Sequence, residues 1–240
     1  MKNVAVAGTS QRVAGLVARA ENAVIENVEI SSGTLTCVKQ SGGIVGVVIG
    51  GATIRNCVNR ATITGTSEAN GGIVGYLYSG TITIENCQNY ASVTGASNGT
   101  GGILGASSAT SAASPKTVIV RNSTNHARVK GVSYVGGIVG LPRASESSSI
   151  IENCKNTGDI EATTGYAGGI AGEARVTVKD CATAIGAVIK VASASITVAS
   201  DSVLLGGDKA TPGAIAGTVL TGIELTNCYI YDSEGNSLTE

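Results

Sequence analysis

GGIVG (42–46), IRNCVN (54–59) and ATITG (61–65) form one unit of sequence, and the unit returns as GGIVG (71–75), IENCQN (84–89) and ASVTG (91–95). The Gly-Gly block occurs seven times: AGLVA (14–18), GGIVG (42–46, 71–75, 136–140), GGILG (101–105), GGIAG (168–172) and GAIAG (213–217). The second block follows each copy as IENV (25–28), IRNC (54–57), IENC (84–87, 151–154), VRNS (120–123), VKDC (178–181) and LTNC (225–228). Successive copies are 27 to 36 residues apart, except for a last step of about 46 that contains an insertion at 184–212. A fixed period of this size signals stacked supersecondary units, each unable to bury its apolar face alone.

The units read as strands. Val, Ile and Thr dominate them, and Gly or Asn punctuates their ends. In TITIEN, Ile82 and Ile84 share one face while Thr81, Thr83 and Glu85 share the other. Three short strands and three turns fit one repeat, and stacking pairs each strand with its own copy. The expected fold is all-β: a parallel β-helix (β-solenoid) of about seven coils. The chain reads as a single domain over 1–240. Regular repeats occupy 12–183, the insertion 184–212, the last coil 213–231 and a tail 232–240.

Composition agrees. There is no Phe or Trp, and Gly contributes 34 of 240 residues, so the core must be thin and built of small side chains. Charged residues make up 14% and the net charge is −1, which offers no basic field to nucleic acid. No apolar run reaches the 18 residues expected of a membrane span. MKNVAVAGTSQR lacks the apolar stretch of a signal peptide, and Val4 and Val6 resemble a third-block strand. These features lead us to expect a segment of a larger protein, or a mature form.

Aligned columns set the register. Asn27, Asn56, Asn86, Asn122, Asn153, Asp180 and Asn227 share one turn position, and Asn tolerates the left-handed conformation. Asn59, Asn89, Asn125 and Asn156 share a second column. Amides stacked this way hydrogen-bond from coil to coil. A third column alternates in sign: Glu26, Arg55, Glu85, Arg121, Glu152, Lys179. Opposite charges across paired strands attract, and a slip of one coil brings like charges together. The third block repeats the pattern, with Arg128 expected opposite Asp159 and Lys130 opposite Glu161.

Five cysteines, Cys57, Cys87, Cys154, Cys181 and Cys228, share a column with Val28 and Ser123, while Cys37 lies elsewhere. Small buried thiols are the leading expectation. A disulfide between neighbours such as Cys57 and Cys87 is the second, and a metal site the third, since a stacked file does not supply convergent ligands.

Catalytic patterns are weak. The single His126 falls in the variable column of Arg60, Tyr90, Thr157 and Ala184. The Gly-rich blocks lack the Lys-Ser/Thr of a phosphate loop and the Asp of calcium-binding rolls. Asp159 and Glu161 face one way, but Arg128 and Lys130 lie opposite, so an ion-pair network is the expectation rather than a glycosidase acid pair. No cofactor and no metal are expected.

Two departures from the repeat carry the binding expectation. ASSATSAASPK (106–116) and LPRASESSS (141–149) leave the same edge of adjacent coils, where solenoids often bind. The candidate ligand residues are Tyr76, Tyr78, Ser107, Ser108, Lys116, Arg143, Glu146, Tyr134 and Tyr166. A second feature is the adjacency of two apolar residues in each Gly-Gly strand. Either a bulge turns both inward, or Val45, Val74, Leu104 and Val139 form an outward stripe for self-association.

The pattern GGIVG, I-x-N-C-x-N, x-V-T-G resembles the GLUG repeat over 12–183, and more weakly over 213–230. That family occurs in large bacterial surface and secreted proteins, adhesin-like ones among them, and beside immunoglobulin-cleaving metallopeptidases. The resemblance implies extracellular or cell-surface display and carries over no catalytic residue; no HExxH is present. The expectation is a non-catalytic adhesin-like module binding a host glycan or matrix protein. A purely structural spacer is the alternative, and a carbohydrate-active enzyme the remote third.

Overall fold

The computed structural model describes residues 1–8, 11–109, 115–144, 148–207 and 209–238. Its strands form three sheets of thirteen, five and ten strands, and every pairing between successive turns is parallel. The chain is a parallel β-solenoid of about six turns, slightly fewer than the seven Gly-Gly copies lead one to expect. The last copy, 213–217, is followed only by the short strands Leu225–Thr226 and Tyr229–Tyr231.

One turn shows how the sequence makes the coil. Asn70–Gly71 lies in the five-stranded sheet, Val74–Leu77 and Gly80–Glu85 in the ten-stranded sheet, and Gln88–Asn89 and Val93–Gly95 in the thirteen-stranded sheet. The turn between the last two sheets is the first Asn column. Asn27, Asn56, Asn86, Asn122, Asn153, Asp180 and Asn227 all hold φ between 49° and 58°. Non-Gly residues pay sterically for that conformation, and Asn and Asp pay least. Two amide contacts run along the file, Asn56 Nδ2 to Asn27 Oδ1 at 3.2 Å and Asn86 Nδ2 to Asn56 Oδ1 at 3.3 Å.

The second Asn column is fully buried. Asn59 donates to Asn89 at 2.9 Å, Asn89 to Asn125 at 2.8 Å, and Asn125 to Asn156 at 2.8 Å. Each amide also donates to the carbonyl two residues on, as Asn89 does to Ala91 at 2.9 Å. Thr183 takes the next place in the file, paired with Asn156, and donates to Ala214 O at 2.7 Å.

Of the two arrangements open to the Gly-Gly strand, the bulge is the one found, and there is no outward stripe. Val45, Val74, Leu104 and Val139 are fully buried, as are their neighbours Ile44, Ile73, Ile103 and Ile138. The cause is a bulge at each copy: the amides of Ile73 and Val74 both donate to Ile103 O, at 3.1 and 2.9 Å. The same double donation joins Ile44 and Val45 to Ile73 O, and Ile138 and Val139 to Ile170 O. Two adjacent amides aimed at one acceptor put two adjacent side chains on one face.

The charge column pairs as expected: Glu26 with Arg55, Arg55 with Glu85, Glu85 with Arg121, Arg121 with Glu152, and Glu152 with Lys179. In the third block Lys130 pairs with Glu161 as expected, at 3.0 Å, whereas Arg128 reaches Glu161 rather than Asp159. Asp159 is engaged elsewhere, accepting the Val188 amide at 2.8 Å.

All six cysteines are free thiols. In the Cys column each thiol donates to the carbonyl two residues back, Cys57 to Arg55 O and Cys87 to Glu85 O at 3.3 Å, and Ser123 does the same to Arg121 O at 2.8 Å. That shared bond explains why Ser substitutes for Cys at a buried site. Burial pushes the Cys228 thiol up to about 12, and raises Cys181 and Cys37 as well.

The insertion is built onto the stack. Val188–Val191 extends the third-block ladder from Ile160–Ala162, and Ala194–Thr197 folds back antiparallel on it. Residues 203–206 then lie on the last Gly-Gly copy, and Leu204 O accepts from both Ile215 and Ala216, repeating the corner bulge.

Candidate functional site

The corner that leads into the five-stranded sheet carries a small cluster outside the main core. Ala69, Ala106 and Leu141 are buried there, with Tyr76 and Tyr134 packed against them. Tyr76, Ala106 and Leu141 are register partners on successive coils. Facing them across the corner is a file in left-handed conformation: Gln40, Ala69, Gly99 and Tyr134, with φ of 57°, 62°, 77° and 54°. A bulky residue at that φ is uncommon and marks local strain. The last glycine of each block lets the two files approach: a Cβ on Gly75 would lie 2.6 Å from the backbone of Gln40.

A cavity of about 50 Å³ opens on this corner, lined by Glu68, Ala69, Tyr76, Asn98, Ala106, Ser107, Leu141 and Arg143. The lining residues combine aliphatic side chains and a tyrosine with a hydroxyl, a carboxylate, an amide and a guanidinium. Burial raises the phenol of the half-buried Tyr76 above its ordinary value. Lys39 Nζ stands 3.9 Å from the Glu68 carboxylate.

Of the residues expected to bind, Tyr76, Ser107 and Arg143 meet at this cavity. Tyr134 packs against the apolar cluster of Ala69, Ala106 and Leu141 and stacks on Tyr166, with centroids 5.3 Å apart and planes 27° off parallel. Ser107 is in register with Leu77, and its buried hydroxyl has no hydrogen-bond partner among the described residues. Ser108 donates to Tyr78 O at 2.7 Å, and Tyr78 itself is exposed away from the cavity. Lys116 departs from the expectation of an exposed binding residue. It is 3% exposed and its Nζ donates to Ala109 O at 2.8 Å, so it braces the base of its own loop. Glu146, like 110–114 in the first edge loop, lies outside the described residues.

Glu68, Ala69 and Asn98 enter the site without having been singled out in the sequence. Their signal was positional: TSEAN (66–70) and SNGT (97–100) both run into a Gly-Gly block at the corner.

A second groove is lined by Arg128, Asp159, Ile160, Glu161, Val188 and Lys190. Its two carboxylates are occupied. Lys130 and then Arg128 hold the Glu161 carboxyl below the usual carboxylate range, and Asp159 binds a backbone amide. Among the described residues, no group of three or more His, Cys, Asp or Glu side chains converges to hold a metal ion.

Fold and repeat define the class: an all-β parallel solenoid assembled from Gly-Gly/Asn-Cys units. The chain carries the GLUG motif, whose family model matches residues 131–161. No curated protein matches the chain. Among solved structures, it is similar to a Bacteroides ovatus protein described as a "putative immunoglobulin A1 protease", with a TM-score of 0.61 and 19% identity. The likeness covers 91% of this chain and 66% of that one, and it concerns the fold. Motif and solenoid together fit a module of a surface protein.

Proposed function

We propose that the chain is a non-catalytic binding module of an extracellular or cell-surface bacterial protein, engaging a host glycan or matrix protein through the corner at Tyr76. The observation that carries this reading is the cavity itself. At this corner the register file runs Tyr76, Ala106 and Leu141, and a cavity opens where these residues and Ala69 meet Glu68, Asn98, Ser107 and Arg143. A concave site with several polar groups beside aliphatic ones is where a ligand group can be both packed and oriented. The two edge loops start at this place, since Ala106 and Leu141 are register partners.

The engaged state of Asp159 and Glu161 supports the non-catalytic reading, because neither carboxylate is poised for acid or nucleophile work. The GLUG motif supports surface display. The test is binding of the labelled chain to arrays of glycans and matrix proteins, beside a variant lacking 107–115 and 142–148. Saturable binding lost with the loops supports the module. Absence of binding at high micromolar concentration favours a spacer, a reading for which the uninterrupted files of Asn and charge speak.

A further inference from the structure

The seven Gly-Gly copies stack in chain order, and one further strand at their corner does not. Ala216 bridges Ala171 on one side, as the order requires, and Leu205 on the other. Residues 203–206 therefore lie beyond 213–217 in the stack, although they precede them in the chain. Their sequence VLLG sits in register on AIAG (214–217). Ala214 N donates to Val203 O at 2.9 Å, and Ile215 N and Ala216 N share Leu204 O at 2.9 and 3.0 Å. Gly43, Ile44 and Val45 make the same three bonds to Gly72 O and Ile73 O. Gly206 N donates back to Ala216 O at 2.9 Å, as Gly217 N does to Ala171 O. On its inner side, then, 203–206 is bonded as an eighth Gly-Gly strand, and Leu204 packs on the core.

Its outer side differs from that of a true copy. Every copy with a strand stacked on it has glycine at its second place or, once, alanine at Ala214. A Cβ at that place points toward the next strand: on Gly169 it would lie 2.1 Å from Ala214 O. Val203 puts a branched side chain there, and it is 65% exposed. Among the described residues, the amides of Leu204 and Leu205 have no acceptor.

We propose that 203–206 is a stop built into the fold: it takes, within the chain, the place of the next Gly-Gly strand, and so keeps this edge from pairing with a second copy of the chain. An unpaired strand edge is a template for pairing with another molecule. The 213–217 strand presents such an edge, with two adjacent amides that need one shared acceptor. A segment tethered nearby has an effective concentration on the order of millimolar, well above that of free protein at micromolar levels. Leu204 O therefore occupies the edge before a second copy does, and Val203 bars the new edge that the stop itself creates. The inference is independent of what the module binds.

The experiment joins hydrogen–deuterium exchange to sedimentation velocity, on the whole chain and two variants. In the unaltered chain the amides of Ile215 and Ala216 should be protected like those of Ile170 and Ala171. Its sedimentation coefficient should stay constant from low to high micromolar concentration. Leu204→Asp sets a carboxylate against the core and should release the segment. Protection over 213–217 should then fall by about tenfold or more while 168–172 keeps its own, and the chain should self-associate as its concentration rises. Val203→Gly changes an exposed side chain and leaves Leu204 anchored, so it should keep the protection and still permit association through the outer edge. Free exchange at Ile215 and Ala216 in the unaltered chain overturns the proposal. So does association of the unaltered chain equal to that of the variants, and so do two variants that both stay monomeric. If Leu204→Asp does not fold, Val203→Gly decides: association supports the stop, and a monomer overturns it.

Discussion

Tyr90 and His126 stack face to face on adjacent coils, with ring centroids 4.3 Å apart and planes 7° off parallel. The file continues on both sides. The Arg60 guanidinium lies 4.1 Å from the Tyr90 ring centre, and Arg60 Nε donates to Glu29 at 3.0 Å. On the other side Thr157 Oγ1 sits 3.4 Å from His126 Nδ1. Burial first, and then the Arg60 charge, lower the His126 pKa below its ordinary 6.5. The folded state therefore binds its proton less readily than the unfolded chain. The stability that follows is fully present above the unfolded value and is lost as pH falls toward the folded one. His126 is the only histidine, so a fall in melting temperature between pH 7 and 5.5 is expected to be its signature. His126→Phe keeps the ring and should flatten the profile in that window. An equally steep profile in the variant would refute this account.

The buried Asn file is expected to be more demanding than the exposed one. Asn89 donates to Ala91 O and Asn125 and accepts from Asn59, all at 2.8–2.9 Å, with no solvent to replace them. Asn89→Leu leaves Asn59 Nδ2 without its acceptor and Asn125 Oδ1 without its donor. A buried polar group left unpaired costs about 1–3 kcal/mol, so a loss at or above that range is expected in urea titration. Asn86→Gly, at an exposed left-handed turn, should cost much less, because glycine adopts that conformation freely. Equal losses would mean that the amide ladder adds nothing beyond the turn.

Charge order along the coils predicts a swap experiment. Arg121 pairs in register with Glu85 on one side and Glu152 on the other, and its Nε is 3.2 Å from Glu152. Arg121→Glu places three carboxylates in a row and should destabilise the chain by about 1–2 kcal/mol, since exposed pairs are worth about 0–1 kcal/mol each and repulsion adds to their loss. The effect should shrink in 1 M salt, where the Debye length is about 3 Å. Adding Glu152→Arg restores the attractive order between these two positions and should recover part of the loss.

What the sequence made legible was whatever repeats. The two Asn files, the alternating charges of Glu26 through Lys179 and the Cys/Ser column all follow from in-register stacking, which a fixed period implies. What it hid was whatever depends on a local break in alternation. The adjacent apolar pair Ile73 and Val74 left a bulge and an outward stripe both open, because a strand has period two, and the shared acceptor Ile103 O shows the bulge that turns both inward. Side chains that bend along the surface were equally hidden. Arg128 passes over Asp159 to Glu161, and Lys116 curls back to Ala109 O. The cavity was half visible: Tyr76, Ser107 and Arg143 stood out as departures from the repeat, whereas Glu68 in a bend and Asn98 at the start of a short strand belong to stretches of ordinary composition.

The second glycine of each pair should tolerate nothing larger. A Cβ on Gly72 would fall 2.0 Å from Gly102 O and 2.4 Å from Asn89 Cγ, both buried and both held by the stack. The Gly102 carbonyl cannot move without pulling its own coil, and the Asn89 amide is fixed by the ladder. Gly72→Ala is therefore expected to destabilise by more than about 3 kcal/mol, in the range reserved for steric or core disruption. Gly207, with φ +90° and nothing within 4 Å of its added Cβ, gives the contrast. Gly207→Ala pays only for its left-handed backbone, about 1–2 kcal/mol. Urea titrations of the two variants separate the effects: if Gly72→Ala costs no more than Gly207→Ala, the close packing of glycine against the neighbouring coil does not limit this fold.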